Sequence, residues 1–197
     1  MKTKAILSLC DYSGRWSQPY RDAGYMVFQF DLKNGHDVRM IEKLDCKIHG
    51  ILAAPPCTEF AVAGARWWKQ KEEEQPQLLR DNLAIVDACL RAVVVYEPKW
   101  WVLENPVSRL QKWIGKKRYS FQPHDFAGWL PEDEQYDEQY TKETWLWGDF
   151  NEPEENSLPP VQGSKMWAKY GGKSEKTKEM RSMTPKGFAL AFFNANP

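Results

Sequence analysis

Residues 77–96 constrain the fold of this chain more than any other stretch. Leu79, Leu83, Val86, Leu90 and Val93 recur there at helical spacing, and Pro98 stops the pattern. A helix of that kind must bury its apolar stripe against another element. Short apolar runs flank it on both sides. Ile51-Leu52-Ala53-Ala54 ends at Pro55-Pro56, and Lys99-Trp100-Trp101-Val102-Leu103 ends at Glu104-Asn105-Pro106. Strand, helix and strand in that order read as a right-handed crossover between two parallel neighbours. The start of the chain repeats the order. Residues 4–10 read as a strand, 11–17 as a turn with one glycine, 18–24 as a short helix, and 25–30 as a second strand closed by Asp31. The expected architecture is α/β, with a mainly parallel sheet and helices on both faces. A length of 197 residues suits one domain with a sizeable core, spanning 1–197.

Open α/β sheets place their ligands at the carboxyl ends of their strands. Cys57 follows Pro55-Pro56 at such an end. A helix beginning within residues 58–68 would set its N-terminus beside the thiol and favour thiolate. Cys57 can also be read as a small buried hydrophobe. Glu104 holds the same kind of place one strand-helix unit later, so the two side chains are expected to face one crevice. Its other reading is a cap on the next helix. At the first unit, the turn Asp11-Tyr12-Ser13-Gly14 and the carboxylate of Asp31 suit a bound nucleoside: close backbone approach at the turn, and an acceptor for ribose hydroxyls. Asp31 can equally cap a helix. Arg66-Trp67-Trp68-Lys69 combines cations with aromatic faces, as either a solvated helix face or a grip on a phosphate backbone.

Charge and cysteine usage narrow the classes. The formal net charge is +0, so any nucleic-acid contact must use local patches. Candidates are Arg66, Lys69, Lys116, Lys117, Arg118 and Lys173. Cysteines 10, 46, 57 and 89 show no paired short spacing, which argues against a zinc site or a disulfide framework. Cys89 is expected in the core. No signal peptide and no membrane-length apolar run are evident, so a soluble cytoplasmic setting is expected. Ten tryptophans are expected mostly as core. Beyond Gly115, residues 131–138 read as an acidic loop, 140–147 as a strand and 148–172 mostly as loop. The last helix is expected at 185–193.

In this order the residues resemble the DNA cytosine-5 methyltransferase family, in the form of a small phage-type member. Asp11 to Gly14 is similar to the first cofactor motif, and Asp31 to the acidic end of the second strand. Pro55-Pro56-Cys57 matches the nucleophile motif, and Glu104-Asn105 the glutamate-asparagine motif. Lys142 and Thr144 fall where the family has a pair of arginines, and Arg181-Ser182-Met183-Thr184-Pro185 resembles the motif near the end. The resemblance implies a Rossmann-like fold that uses S-adenosylmethionine, with Asp11, Tyr12, Ser13, Gly14, Asp31 and Pro55 at the cofactor. It implies Cys57 as nucleophile toward carbon 6 of cytosine and Glu104 at the ring nitrogen and amine. Asn105, Pro106, Arg66, Lys142 and Thr144 would contact the substrate, DNA or a cytosine nucleotide, with no metal and no membrane. Ser13-Gly14-Arg15-Trp16 replaces the family's glycine-richer run, and residues 149–173 stand as a short loop-rich insertion where the family holds its target-recognition domain. An inactive protein of the same fold, binding DNA or a protein partner, and an enzyme transferring another group to a pyrimidine remain as alternatives.

Overall fold

A computed structural model of the chain describes residues 3–168 and 174–197. The strands are β1 (Ala5–Leu9), β2 (Met26–Phe30), β3 (Ile48–Ala53), β4 (Trp100–Pro106), β5 (Tyr119–Phe121) and β6 (Thr144–Asp149). The helices are α1 (Gln18–Asp22), α2 (Trp68–Glu74), α3 (Pro76–Tyr96), α4 (Gln111–Ile114), α5 (Glu132–Glu138), α6 (Lys165–Ala168), α7 (Glu175–Ser182) and α8 (Lys186–Ala195). The strands form one sheet in the order β2-β1-β3-β4-β6-β5. The β2/β1, β1/β3 and β3/β4 pairs are parallel, and β6 runs against both its neighbours. This is the expected α/β architecture with a mainly parallel sheet.

Both faces of the sheet are covered, so its inner strands are mostly apolar. All five residues of β1 are buried. Leu7, Leu9, Ile51, Ala53 and Leu103 pack toward Val86, Cys89 and Ala92 of α3. Ile6, Leu52, Trp100 and Val102 alternate with them and meet Trp16, Tyr20 of α1, and Phe188 and Phe192 of α8. Among the described residues, no helix is long and apolar enough to cross a membrane.

Gly50 lies beside Trp100 in the β3/β4 ladder. A methyl group there would sit 2.1 Å from the Trp100 indole, which is itself buried. Gly50→Ala should therefore cost about 1–3 kcal/mol, the usual cost of overpacking a filled core. Urea unfolding with an unchanged slope and a lowered midpoint would show it.

Two local expectations give way to tertiary pairing. No α-helix starts just after Cys57. The N–H groups of Phe60 and Ala61 turn back to the Cys57 carbonyl, at 2.9 and 2.8 Å. Ala61 bridges Ser108, Val62 N–H reaches the Val107 carbonyl at 2.9 Å, and Arg109 N–H reaches that of Phe60 at 2.9 Å. This cross-link holds Ala61 extended, so only a 3-10 turn follows (Val62–Trp67) and the α-helix waits until Trp68. The acidic stretch expected as loop is helical. Glu132, Asp133 and Glu134 occupy the first turn of α5, where carboxylates favour a helix start.

Residues 150–164 are mostly irregular and lie along a 3-10 segment, Pro123–Trp129. Asn156 N–H bonds the Asp125 carbonyl, Gly128 N–H bonds the Asn156 carbonyl, and Leu158 N–H bonds the His124 carbonyl, each at 2.9 Å. The expected Gly171-Gly172 loop and Lys173 lie outside the described residues.

Candidate active site

The parallel register aligns the strand ends. Leu9 lies level with Ala53, and Ala53 with Leu103. Past that level, Cys10 and Asp11 follow β1 and Ala54 to Cys57 follow β3 out of the sheet along one edge, while Glu104 lies in β4 just beyond its last pairing with β3. Strand order also reverses at β1, since the chain moves outward to β2 and then returns to β3 on the other side. The crevice between β1 and β3 is the topological switch point.

Cys57 and Glu104 meet at this edge, and each is half-buried by exposed area. Burial pushes the Cys57 thiol up, and the nearby Glu104 carboxylate adds to the rise. Lys142 and Arg181 pull the other way. Burial likewise raises Glu104, eased by Lys142. The expected helix dipole is missing here, and the thiol is raised rather than lowered. Two acids in one desolvated crevice resist ionising together.

Lys142 and Arg181 arrive by different routes. β6 runs antiparallel to β4 and pairs Thr144 with Pro106, so its amino end lies at the carboxyl edge of the parallel strands. Lys142, two residues earlier, reaches the crevice for that reason. Its Nζ donates to the Arg181 carbonyl at 2.8 Å, which joins the start of β6 to the end of α7. Arg181 is a site residue that sequence reasoning did not place. Its motif was visible, but nothing local shows that the motif folds back on Cys57. Thr144 is buried and donates its hydroxyl to the Lys142 carbonyl at 3.1 Å, so it supports that turn.

Asn105 is wholly buried. Its Nδ2 donates to the Pro55 carbonyl at 3.0 Å and ties the two strand ends together. It thus positions the Pro-Pro-Cys corner, while Pro106 ends β4 half-buried. Asn105→Ala should cost about 1–3 kcal/mol by leaving a buried carbonyl unpaired. Chemical denaturation would read that loss, and an unchanged midpoint would remove Asn105 from this role.

The segment after Cys57 is braced from the opposite wall. Buried Arg109 donates to the Glu59 carbonyl at 3.0 Å, pairs with Glu72, and lies 4.3 Å over the Trp68 ring. Glu59 also pairs with Lys71 at 2.7 Å. Sequence reasoning missed Arg109, whose partners are distant in the chain.

The expected cofactor turn is closed and polar inside. The buried Asp11 carboxylate accepts from Ser8, Ser13 and Ser17 at 3.1, 3.2 and 3.3 Å. Gly14 takes a φ of +66°, which a side chain disfavours, and its carbonyl accepts from Ser17 at 3.2 Å. The Tyr12 ring stands 43% exposed, with the Lys33 ammonium 4.9 Å over it. Asp31 caps the next turn by accepting from Lys33 N–H at 2.8 Å. Its carboxylate still lies close enough to Cys10 to raise that thiol, after the larger effects of Cys89 and burial. An exposed aromatic face and a carboxylate at neighbouring strand ends fit a nucleoside, the ring by stacking and the acid at ribose hydroxyls.

The cationic candidates are spread out. Arg66 is exposed and stacks 5.0 Å over Trp67, itself 48% exposed. Lys69 is exposed near Glu73, and Lys116 is exposed. Lys117 pairs with Glu143 at 3.1 Å. Arg118 pairs at 3.2 Å with Asp149, which lies level with Trp101 at the amino end of β4, away from the crevice.

No protein-family profile matches the chain, and no curated protein matches it. Among solved structures it is similar to a candidate DNA modification methyltransferase encoded within a prophage of E. coli. Identity is 15%, the TM-score is 0.42, and the match covers 75% of this chain and 47% of that one. The chain thus spans about half the length of that protein.

Proposed function

We propose that this chain transfers a methyl group from S-adenosylmethionine to carbon 5 of cytosine in DNA, through a covalent adduct on Cys57. The observation that carries this is the meeting of Cys57, Glu104, Lys142 and Arg181 at the carboxyl edge of the sheet, beside the switch point. The ordered motif resemblance agrees, and the partial structural likeness carries no weight.

The chemistry uses what each residue does best. A buried Glu104 favours its acid form and can donate to the ring nitrogen of cytosine. With Glu104 protonated, the anion opposing thiolate is gone, and Lys142 and Arg181 favour the thiolate of Cys57. Sulfur then adds to carbon 6 and makes carbon 5 nucleophilic. Bound S-adenosylmethionine supplies an electrophilic methyl. Loss of the carbon-5 proton to a base and cleavage of the sulfur–carbon bond release the product and regenerate Cys57. Tyr12 and Asp31 would hold the adenosine. Residues 150–164, fastened along Pro123–Trp129, leave little reach for reading sequence, so a short or loosely defined site is expected.

Methyl-labelled S-adenosylmethionine with a panel of DNA, RNA and free nucleotides tests this directly. The expected result is label in DNA, recovered as 5-methylcytosine. Binding of donor and DNA without transfer would instead support an inactive binding protein.

A further inference from the structure

A second polar cavity, of about 260 Å³, opens between Arg15, the end of α5 and the start of α8. It is smaller than the roughly 300–1,000 Å³ of a site for a drug-sized ligand. Its wall holds Glu138, only 6% exposed. One oxygen of that carboxylate, Oε1, accepts from Lys186 N–H at 3.1 Å and caps α8. The other, Oε2, is buried and has no hydrogen-bond partner among the described residues. A buried carboxylate oxygen left unpaired is costly unless something fills its place.

The other charges nearby are largely spoken for. Lys186 pairs with Glu134 at 2.5 Å, and buried Lys165 pairs with Asp137 at 3.2 Å. Arg15, on the turn after β1, lines the same cavity, and no hydrogen bond or ion pair engages its guanidinium among the described residues. It is close enough to ease the rise that burial imposes on Glu138. Beside Asp133, which is exposed, the cavity thus offers one open buried carboxylate oxygen and one open guanidinium, with Met180, Met183 and Leu130 as apolar lining.

We infer that this cavity binds an α-amino-acid zwitterion, its ammonium at Glu138 Oε2 and its carboxylate at Arg15. Methionines 180 and 183 flank Arg181, whose carbonyl holds Lys142 and whose charge acts on Cys57. The cavity therefore lies beside the crevice and shares the turn after β1 with the nucleoside position. The amino-acid end of S-adenosylmethionine is the source that fits this placement. That identification rests on the proposed function, whereas the zwitterion chemistry does not.

Calorimetry on the full chain separates the two. The probes are S-adenosylhomocysteine, 5′-methylthioadenosine, which lacks the amino-acid end, and free methionine. Wild type should prefer S-adenosylhomocysteine over 5′-methylthioadenosine by about tenfold or more. Glu138→Gln keeps the α8 cap through its amide oxygen, and Arg15→Gln changes a different element. Each should erase that preference while leaving affinity for 5′-methylthioadenosine unchanged. Methionine binding that both variants abolish, with neither nucleoside bound, would keep the zwitterion site and overturn both its cofactor source and the proposed function. Folded variants that retain the wild-type preference, or a wild type that binds none of the three probes, would overturn the inference itself.

Discussion

Cys57→Ser is expected to lower methyl transfer by about a thousandfold or more, with fold and cofactor affinity near wild type. The hydroxyl keeps the size of the thiol, so the packing beside Pro55 and Pro56 is preserved. It removes the one group at the crevice able to become a soft, ionised nucleophile. Lys142 and Arg181 ease the rise that burial imposes on Cys57. Cys89 is buried on the inner face of α3, Cys10 is held against it, and Cys46 is exposed. A cytosine fluorinated at carbon 5 should trap the adduct, because fluorine cannot leave as the proton does. Mass spectrometry should place that adduct on Cys57. Near-normal turnover in the serine variant, or an adduct on another residue, would end the covalent mechanism.

Glu104→Gln should cut the rate by about 10²–10⁴-fold, the range of a lost general acid, and should change two pH profiles. The amide cannot pass a proton to the ring nitrogen. In wild type, activity should rise with pH as Cys57 ionises and fall as Glu104 loses its proton. In the variant the falling limb should vanish. The rising limb should remain and lead to a plateau, because the neutral amide, like the protonated acid, sets no anion against the Cys57 thiolate. Stability should move the opposite way from activity. The folded pKa of Glu104 lies above its ordinary value of 4.5, so the folded state holds the extra proton across that window. Stability there falls as pH rises. Glu104→Gln removes this penalty, so its melting temperature should exceed wild type at about pH 8, with the gap closing below the ordinary carboxylate range. A variant less stable than wild type at alkaline pH would mean that Lys142 depends on the carboxylate more than burial opposes it.

The two variants together probe a site only partly visible in the chain itself. The periodicity of residues 77–96 gave α3 almost to the residue, because a long amphipathic pattern is a local property. The apolar runs gave β1 to β4, and the prolines and acids at their ends marked where side chains would leave the sheet. The helix anticipated after Cys57 is a local reading that lost to distance. Pairing of residues 60–62 with 107–109 holds the chain extended there, and no window around Cys57 contains that partner. The acidic α5 was missed for a related reason. Its charge pattern resembles a solvated loop, yet the helix end buries Glu138 against α8.

What the sequence determined by itself is the set of strand ends and the chemistry they carry: a cysteine behind two prolines, and a glutamate one crossover later. Those follow from local patterning and from the handedness of parallel connections. The tertiary structure decided what surrounds them. Only the reversed direction of β6 delivers Lys142 to the carboxyl edge, and only the packing of α7 and α8 returns Arg181 to Cys57. Strand direction and helix docking are set by contacts between residues far apart in the chain. The electrostatic balance of the crevice, which follows from those contacts, was therefore beyond any local pattern.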